Sequence, residues 1–312
     1  MNKKSTGALS RKILENYNLA LELDEKGVTQ LIDDYDSILE KKPILERIKS
    51  GSILVAGDIH GDFEIMKSII SLFRDKKDIE HLIFLGDIVD RGSNSIACLN
   101  LLFALIIQYP ERVHIVRGNH EALSVNSRYG FLQEVMIFQS QDEELYNPNN
   151  IPKLYVRYNK TFSNMPVAIV HEKLRFFFVH GGIPIDSCTL NEIKQLPKGD
   201  QMLKNPLIKQ LLWNDPKEAL DQYSSSLRGN DIYTFGSEIV SNFLQINNLK
   251  KIIRAHEAFP EGAKYFFDEQ LLSLFTSEEF YNYVKAKIAL INESGKIKIL
   301  SPKNNNKNFF GF

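Results

Sequence analysis

At 312 residues, 43% hydrophobic and 25% charged, the chain has ample apolar content for a large core, which excludes a disordered chain or a disulfide scaffold. Its 39 acidic and 38 basic residues leave a formal net charge of −1, so no global field draws it to nucleic acid or a membrane surface. Two cysteines, Cys98 and Cys188, fit a reducing compartment, and neither a signal segment nor a run of roughly 20 apolar residues is read, so a cytoplasmic protein is expected.

The first fifty residues read as helical, with Val28, Leu31, Ile32, Tyr35, Ile38 and Leu39 in one stripe and Asp33, Asp34 and Asp36 outside it. Pro43 interrupts this pattern and Ser50-Gly51 ends it. From Ser52 the rhythm changes. Short apolar runs at 52–56, 81–85 and 113–116 alternate with helical stretches over 63–73 and about 95–108, the pattern of buried strands in βαβ units. A helix is expected from Glu121 to about Gln139, and the polar, Asn/Pro-rich stretch 139–160 reads as a surface insertion. Another buried strand is read at 175–179, short helices over 191–212, a helix over 237–247 and a strand at 250–253. Alternation at 285–291 and 296–300 around Glu293-Ser294-Gly295 indicates a closing β-hairpin. No repeat or Ser/Gly linker divides the chain. Residues 28–302 are expected to form one domain, 1–27 a helical extension and 303–312 a disordered Asn/Lys tail.

The buried strands run straight into metal-ligating residue types beside a glycine or asparagine. The runs lead in turn into Gly57-Asp58-Ile59-His60-Gly61, Gly86-Asp87, Gly118-Asn119-His120-Glu121, His180-Gly181-Gly182 and Arg254-Ala255-His256. In open α/β sheets the carboxyl ends of strands form the ligand rim, so five strands deliver these groups to one place. Asp58, His60, Asp87, Asn119, His180 and His256 supply imidazole and oxygen donors without thiolate, a set suited to Mn²⁺, Fe or Zn²⁺ rather than to Ca²⁺ or Mg²⁺ alone. Six ligands exceed what one open catalytic ion takes but suit two ions about 3.5 Å apart, with Asp87 on the middle strand as the bridging carboxylate. Taken singly, Asp58 or Asp87 reads better as a turn or cap residue and Asn119 as a helix N-cap; six together at strand ends argue for ligands.

The motifs Gly57-Asp58-Ile59-His60-Gly61, Gly86-Asp87-Ile88-Val89-Asp90-Arg91-Gly92 and Gly118-Asn119-His120-Glu121 resemble the signature of the phosphoprotein phosphatases, the dinuclear-metal Ser/Thr phosphatase family. Stretches at 126–131, 165–168, 180–183, 211–216 and 254–257 look like further family blocks in family order, so the resemblance covers roughly residues 28–300. It implies an α/β, calcineurin-like metallophosphoesterase fold: a central β-sandwich of mixed sheets flanked by helices, with metals at the C-terminal ends of strands. It also implies two divalent metal ions, Mn²⁺ foremost in vitro with Fe or Zn²⁺ as alternatives. Asp58, His60 and Asp87 would hold one, and Asp87, Asn119, His180 and His256 the other.

The same resemblance makes His120 the general acid that protonates the leaving Ser or Thr oxygen, with Asp90 orienting its ring. Arg91 and Arg228 would grip the phosphoryl oxygens. The block from Arg228 to Gly236 is one residue longer than the family's between its Arg-Gly and Phe-Gly, so a surface arginine is the alternative there. Arg254 is a second candidate for that grip, though expected to be structural, and His81 and His114 are expected to be packing or capping residues away from the rim. Where eukaryotic members carry Ser-Ala-Pro-Asn-Tyr-Cys over the site, this chain has Thr276-Ser277-Glu278-Glu279-Phe280-Tyr281-Asn282-Tyr283. Glu278 and Glu279 would there favour basic substrate segments, and the loop looks more like that of a prokaryotic or archaeal member. The implied activity is hydrolysis of phosphoserine and phosphothreonine in phosphoprotein or phosphopeptide substrates, by direct attack of a metal-bridging water. The alternatives are a nucleotide phosphohydrolase of diadenosine tetraphosphatase type and a non-catalytic phosphoprotein-binding scaffold.

Overall fold

The computed structural model describes residues 7–140, 151–199 and 204–303. Helices α1 (Ala8–Glu15) and α2 (Glu25–Leu39) come first. The Asp24 carboxylate accepts the Gly27 N–H at 2.8 Å and so caps α2, which buries Val28, Leu31, Ile32, Tyr35 and Leu39, the face its spacing predicts. Next come β1 (Leu45–Ile48), β2 (Ile53–Ala56), α3 (Phe63–Asp75), β3 (His81–Phe84), α4 (Ser95–Gln108) and β4 (Val113–Ile115). Helices α5 (Leu123–Asn126), α6 (Phe131–Ser140) and α7 (Lys153–Phe162) lead to β5 (Ala168–His171), β6 (Phe176–Val179), α8 (Leu190–Lys194) and α9 (Pro206–Trp213). The remainder is β7 (Asp215–Pro216), β8 (Tyr223–Ser225), β9 (Tyr233–Phe235), α10 (Ser237–Ile246), β10 (Lys251–Arg254), β11 (Ala263–Phe266), β12 (Leu271–Leu274), β13 (Ile288–Ile291) and β14 (Ile297–Leu300).

Among the described residues, two mixed sheets face each other, in the orders β14-β13-β2-β3-β4 and β1-β5-β6-β10-β12-β11. Alternate residues point to opposite faces of a strand. In β2, Ile53 and Val55 pack inward between the sheets with Ile83, Ile169, Phe178 and Ile253, while Leu54 and Ala56 join the helical layer with Leu82 and Phe84. Both faces are therefore buried, and this is why the strands read as unbroken apolar runs. Helix α4 is buried along nearly its whole length and holds the helical layer on that side; its Phe103 ring stacks on Tyr35 at 4.3 Å. On the far side α9 and α10 cover the six-stranded sheet with Leu211, Leu212, Val240 and Phe243. A small third sheet, β7-β9-β8, lies next to α9 in sequence. No helix among the described residues is long and apolar enough to cross a membrane.

The sandwich of mixed sheets flanked by helices is the architecture the resemblance implies, and the structure alters several local readings. Residues 45–48 are not helical: they form edge strand β1, paired in parallel with β5, in which only Arg47 is exposed. The stretch 139–160 is only partly a polar insertion. Its residues 141–150 lie outside those described, but α7 buries Leu154, Tyr155 and Tyr158 in the helical layer. The expected helix from 121 to 139 is two helices, parted near Gly130, whose φ of +123° glycine adopts without strain. Of the tail expected at 303–312, all but Lys303 lies outside the described residues.

Candidate active site

The loops after β2, β3, β4, β6 and β10 converge at one end of the sandwich. They bring Asp58, His60, Asp87, Arg91, Asn119, His120 and His256, and the turn between β8 and β9 brings Arg228, to the wall of one small polar hollow of about 90 Å³. His180 stands directly behind, its Nε2 3.3 Å from Asp87 Oδ2, and Asp90 lies behind His120. All ten residues expected from the sequence thus gather at the hollow.

The backbone is bent to bring them there. His60, Asp87, Asp90, Arg91 and His256 all have positive φ, between 47° and 73°. For residues other than glycine this costs on the order of 1–3 kcal/mol each, strain that persists only where surrounding contacts over-determine it. Those contacts are on hand. The Asp87 carbonyl accepts the N–H groups of Ile59 and His60, both at 2.9 Å, tying the first loop to the second. Asp87 Oδ1 accepts the His120 N–H at 2.9 Å, and Asp58 Oδ1 accepts that of His256 at 2.9 Å. A side chain at Gly118 would run into the Asp87 carboxylate, so glycine is required for the loops to close on one another.

Two groups of donors share one residue. His60, Asp87 and His120 each offer an atom within 4.8 Å of the others, and so do Asp87, His180 and His256. Asp58 belongs beside the first, its Oδ2 3.6 Å from His60 Nε2. Asn119 belongs beside the second, its Oδ1 2.8 Å from His180 Nε2.

The ring nitrogens show what this arrangement lacks. His60 Nδ1 lies 2.9 Å from the Val89 carbonyl and His180 Nδ1 2.7 Å from that of Leu85, so each ring donates outward and turns Nε2 toward the hollow. Around His180 Nε2 stand three atoms with lone pairs, Asn119 Oδ1, Asp87 Oδ2 and, at 3.2 Å, His256 Nδ1. His256 Nε2 is buried with no hydrogen-bond partner among the described residues, the nearest carboxylate oxygen being Asp215 Oδ1 at 3.9 Å. Converging lone pairs repel unless a proton or a cation sits among them. Burial opposes a charge on His180, but the Asp87 carboxylate outweighs it and lifts its pKa to about 9. Burial likewise works against the Asp87 carboxylate, and the charges of His180 and His120 still hold it well below the ordinary range. Burial and the neighbouring His180 push His256 well below 6.5. Apart from these imidazoles, no lysine or arginine among the described residues pairs with Asp58 or Asp87. Buried, converging carboxylates and imidazoles without a matching cation are what a pair of divalent metal ions fits.

Around this cluster stand the other polar groups. His120 Nδ1 is 2.6 Å from Asp90 Oδ2, and the other Asp90 oxygen accepts the Phe131 N–H at 2.9 Å. Arg228 lines the hollow and is exposed on its outer side, but it is tethered: its Nε is 2.7 Å from Asp215 Oδ2. Arg254 is fully buried and structural, bonding the other Asp215 oxygen at 2.8 Å, Glu257 at 2.8 Å and the carbonyls of Gly181 and Asn214.

Several residues that shape the site carried no role in the sequence reading. The buried Glu121 carboxylate accepts the N–H groups of Asp87 at 2.8 Å, Ile88 at 2.8 Å and Gly118 at 2.9 Å, binding the second loop to the third. Its place after Asn119-His120 was the available signal. Asp215 orients two arginines at once. Of the two glutamates expected to read substrate charge, Glu278 is paired with Lys303 and accepts the Ala286 N–H at 3.0 Å, whereas exposed Glu279 accepts the Ser93 N–H at 3.0 Å through one oxygen. His81 and His114 lie away from the hollow, paired with each other at 3.2 Å.

Comparison with known proteins adds independent findings. Residues 51–260 match the family model of the calcineurin-like phosphoesterases. A relative from Encephalitozoon cuniculi, named a probable serine/threonine-protein phosphatase, is 32% identical over 257 residues, covering 80% of this chain and 53% of the relative. This chain thus spans about half the length of that curated relative. A solved serine/threonine phosphatase from Saccharomyces cerevisiae, described as similar to human phosphatase PP5, matches with a TM-score of 0.79 at 25% identity, over 95% of this chain and 96% of that one. A cold-active protein-tyrosine phosphatase from a Shewanella species shares the fold alone, with a TM-score of 0.55, 16% identity and coverage of 85% and 84%.

Proposed function

The chain belongs to the calcineurin-like phosphoesterase family, and from that premise we propose that it hydrolyses phosphoserine and phosphothreonine in proteins. The observation that carries this reading is Asp87, common to both donor groups beside a His–Asp pair and two arginines. Asp58, His60 and Asp87 would hold one divalent cation, and Asp87, Asn119, His180 and His256 a second, with Mn²⁺ the form to test first. When bound, the two cations would supply Lewis-acid charge that acidifies water and draws charge from a phosphoryl group.

The remaining chemistry falls to the chain's own residues. Arg91 and Arg228 bind the equatorial phosphoryl oxygens, so phosphorus faces the hollow and the leaving oxygen faces His120. His120 Nε2 gives its proton to the departing Ser or Thr alkoxide. Asp90 accepts from Nδ1, which fixes the ring's aim. The described residues lining the hollow include no serine, threonine or cysteine, and their aspartates and histidines are taken here as metal ligands and the general acid, so water is the nucleophile of this proposal. Residues 28–302 would form the catalytic domain with 1–27 as its extension, in a cytoplasmic enzyme whose partners are phosphoproteins or phosphopeptides.

The test is a comparison of substrates with the full chain in Mn²⁺. Phosphoserine and phosphothreonine peptides should be turned over, releasing phosphate labelled by ¹⁸O-water in a single turnover. Cleavage of diadenosine tetraphosphate with no action on phosphopeptides would replace this reading with the nucleotide one. Binding of phosphopeptides without turnover in any metal would leave a scaffold.

A further inference from the structure

Arg91 and Arg228 both line the hollow, yet they are held in unlike ways. Arg228 is tied by a carboxylate, Asp215, which occupies an N–H donor and offsets its charge. Arg91 has no carboxylate within ion-pair distance among the described residues. Its guanidinium lies among three rings instead, with Cζ 5.3 Å from the centre of Tyr129, 5.5 Å from Phe280 and 5.4 Å from Tyr281. An aromatic face attracts a guanidinium through its quadrupole and takes up none of its in-plane N–H donors.

The rings pack on their neighbours, with Tyr129 and Phe280 each about half exposed. Tyr281 packs edge-on against Phe275 at 5.4 Å and against Phe280 at 4.9 Å, and Tyr129 against His120 at 5.3 Å. The loop that carries Phe280 and Tyr281 is pinned just before them, where Asp62 Oδ2 accepts the N–H groups of Glu278 at 3.0 Å and Glu279 at 3.1 Å. Glu279 in turn accepts the Ser93 N–H, joining this loop to the turn that bears Arg91. The glutamates expected to read substrate charge are occupied in building this support.

We infer that Tyr129, Phe280 and Tyr281 form a positioning cage that aims Arg91 at the phosphoryl group while leaving its charge and donors free. Two of the three rings come from this chain's own 276–283 loop and the third from the turn before α6, and the inference rests on the phosphate-binding role proposed for Arg91.

The experiment is a double-mutant cycle on binding of inorganic phosphate, measured by calorimetry on the Mn²⁺-loaded full chain. Phe280→Leu should weaken phosphate binding about ten-fold and raise the phosphopeptide KM similarly, with a smaller change in kcat. Phe280→Trp should restore both, and Tyr129→Leu should act like Phe280→Leu. In an Arg91→Ala background the Phe280→Leu effect should disappear. An unchanged phosphate affinity in Phe280→Leu, or an equal loss with and without Arg91, overturns the cage. The Arg91 Nε–H resonance separates this from failure of the phosphatase reading. A ring-current shift that is lost in Phe280→Leu keeps the cage even if wild-type protein acts on no phosphopeptide; an Arg91 resonance indifferent to Phe280 removes it.

Discussion

Two clusters in this molecule set histidines against buried carboxylates, at opposite ends of the same strands. One follows β3 at Asp87; the other begins β3 at His81, where His114 joins His81 at 3.2 Å and Glu46 at 3.1 Å. The second cluster is closed within itself. Lys42 pairs with Glu46 at 2.9 Å, and the contacts of His114 to Glu46 and to His81 occupy both of its ring nitrogens. None of Glu46, His81 and His114 has positive φ. The rim cluster has the reverse properties: two buried carboxylates without a lysine or arginine, an orphaned His256 nitrogen, and five residues in the left-handed region. Residue type alone therefore does not make a site. Uncompensated charge, converging lone pairs and stored backbone strain mark the one built to hold cations.

The comparison breaks most sharply when matched carboxylates are neutralised at each end. Asp87→Asn should reduce activity to background and bound metal below one ion per chain by mass spectrometry. Glu46→Gln should keep metal and kcat and lower only stability, by about 1–3 kcal/mol in urea unfolding. Equal metal loss in both would erase the distinction. Within the rim, His120→Asn should lower kcat about 10²–10⁴-fold with metal content near that of the wild type. Loss of metal there would instead make His120 a ligand, as its grouping with His60 and Asp87 allows. Glu121→Gln is the next smaller effect. Three N–H groups point at this carboxylate, and an amide must turn an NH₂ toward at least one of them, so metal affinity should fall about 10–100-fold.

The smallest effect belongs to the closed cluster. Burial and then His114 lower the His81 pKa to about 4, so the folded protein favours the neutral ring. A depressed folded pKa contributes stability that is present above the ordinary value of 6.5 and is lost as pH falls toward about 4. Over that interval wild-type protein should lose stability relative to His81→Gln, while the difference between them stays constant above pH 7. A difference that does not move between pH 7.5 and 5 would contradict the assignment.

Much of this was legible because the strands beside the site are buried on both faces. Their apolar runs ended visibly at Asp58, Asp87, Asn119 and His180, and the sandwich followed from the motifs. β1 was not legible, since its short run follows Pro43 and buries a charged residue, Glu46. β5, β11 and β12 were unread as well, strands of four residues each. The φ of Asp87, the three N–H groups on Glu121 and the bonds of Glu278 and Glu279 to Ala286 and Ser93 depend on contacts between segments apart in sequence, which no local pattern records. The expected prokaryotic or archaeal affinity gains no support from the two eukaryotic relatives.

The most direct measurement is anomalous diffraction at the manganese edge from crystals of Mn²⁺-loaded protein. Two peaks in contact with Asp87 are predicted, one beside His60 and one beside His180 and His256, with none at Glu46 and His114. A single peak remote from Asp87, or none at the rim at saturating Mn²⁺, would contradict the account.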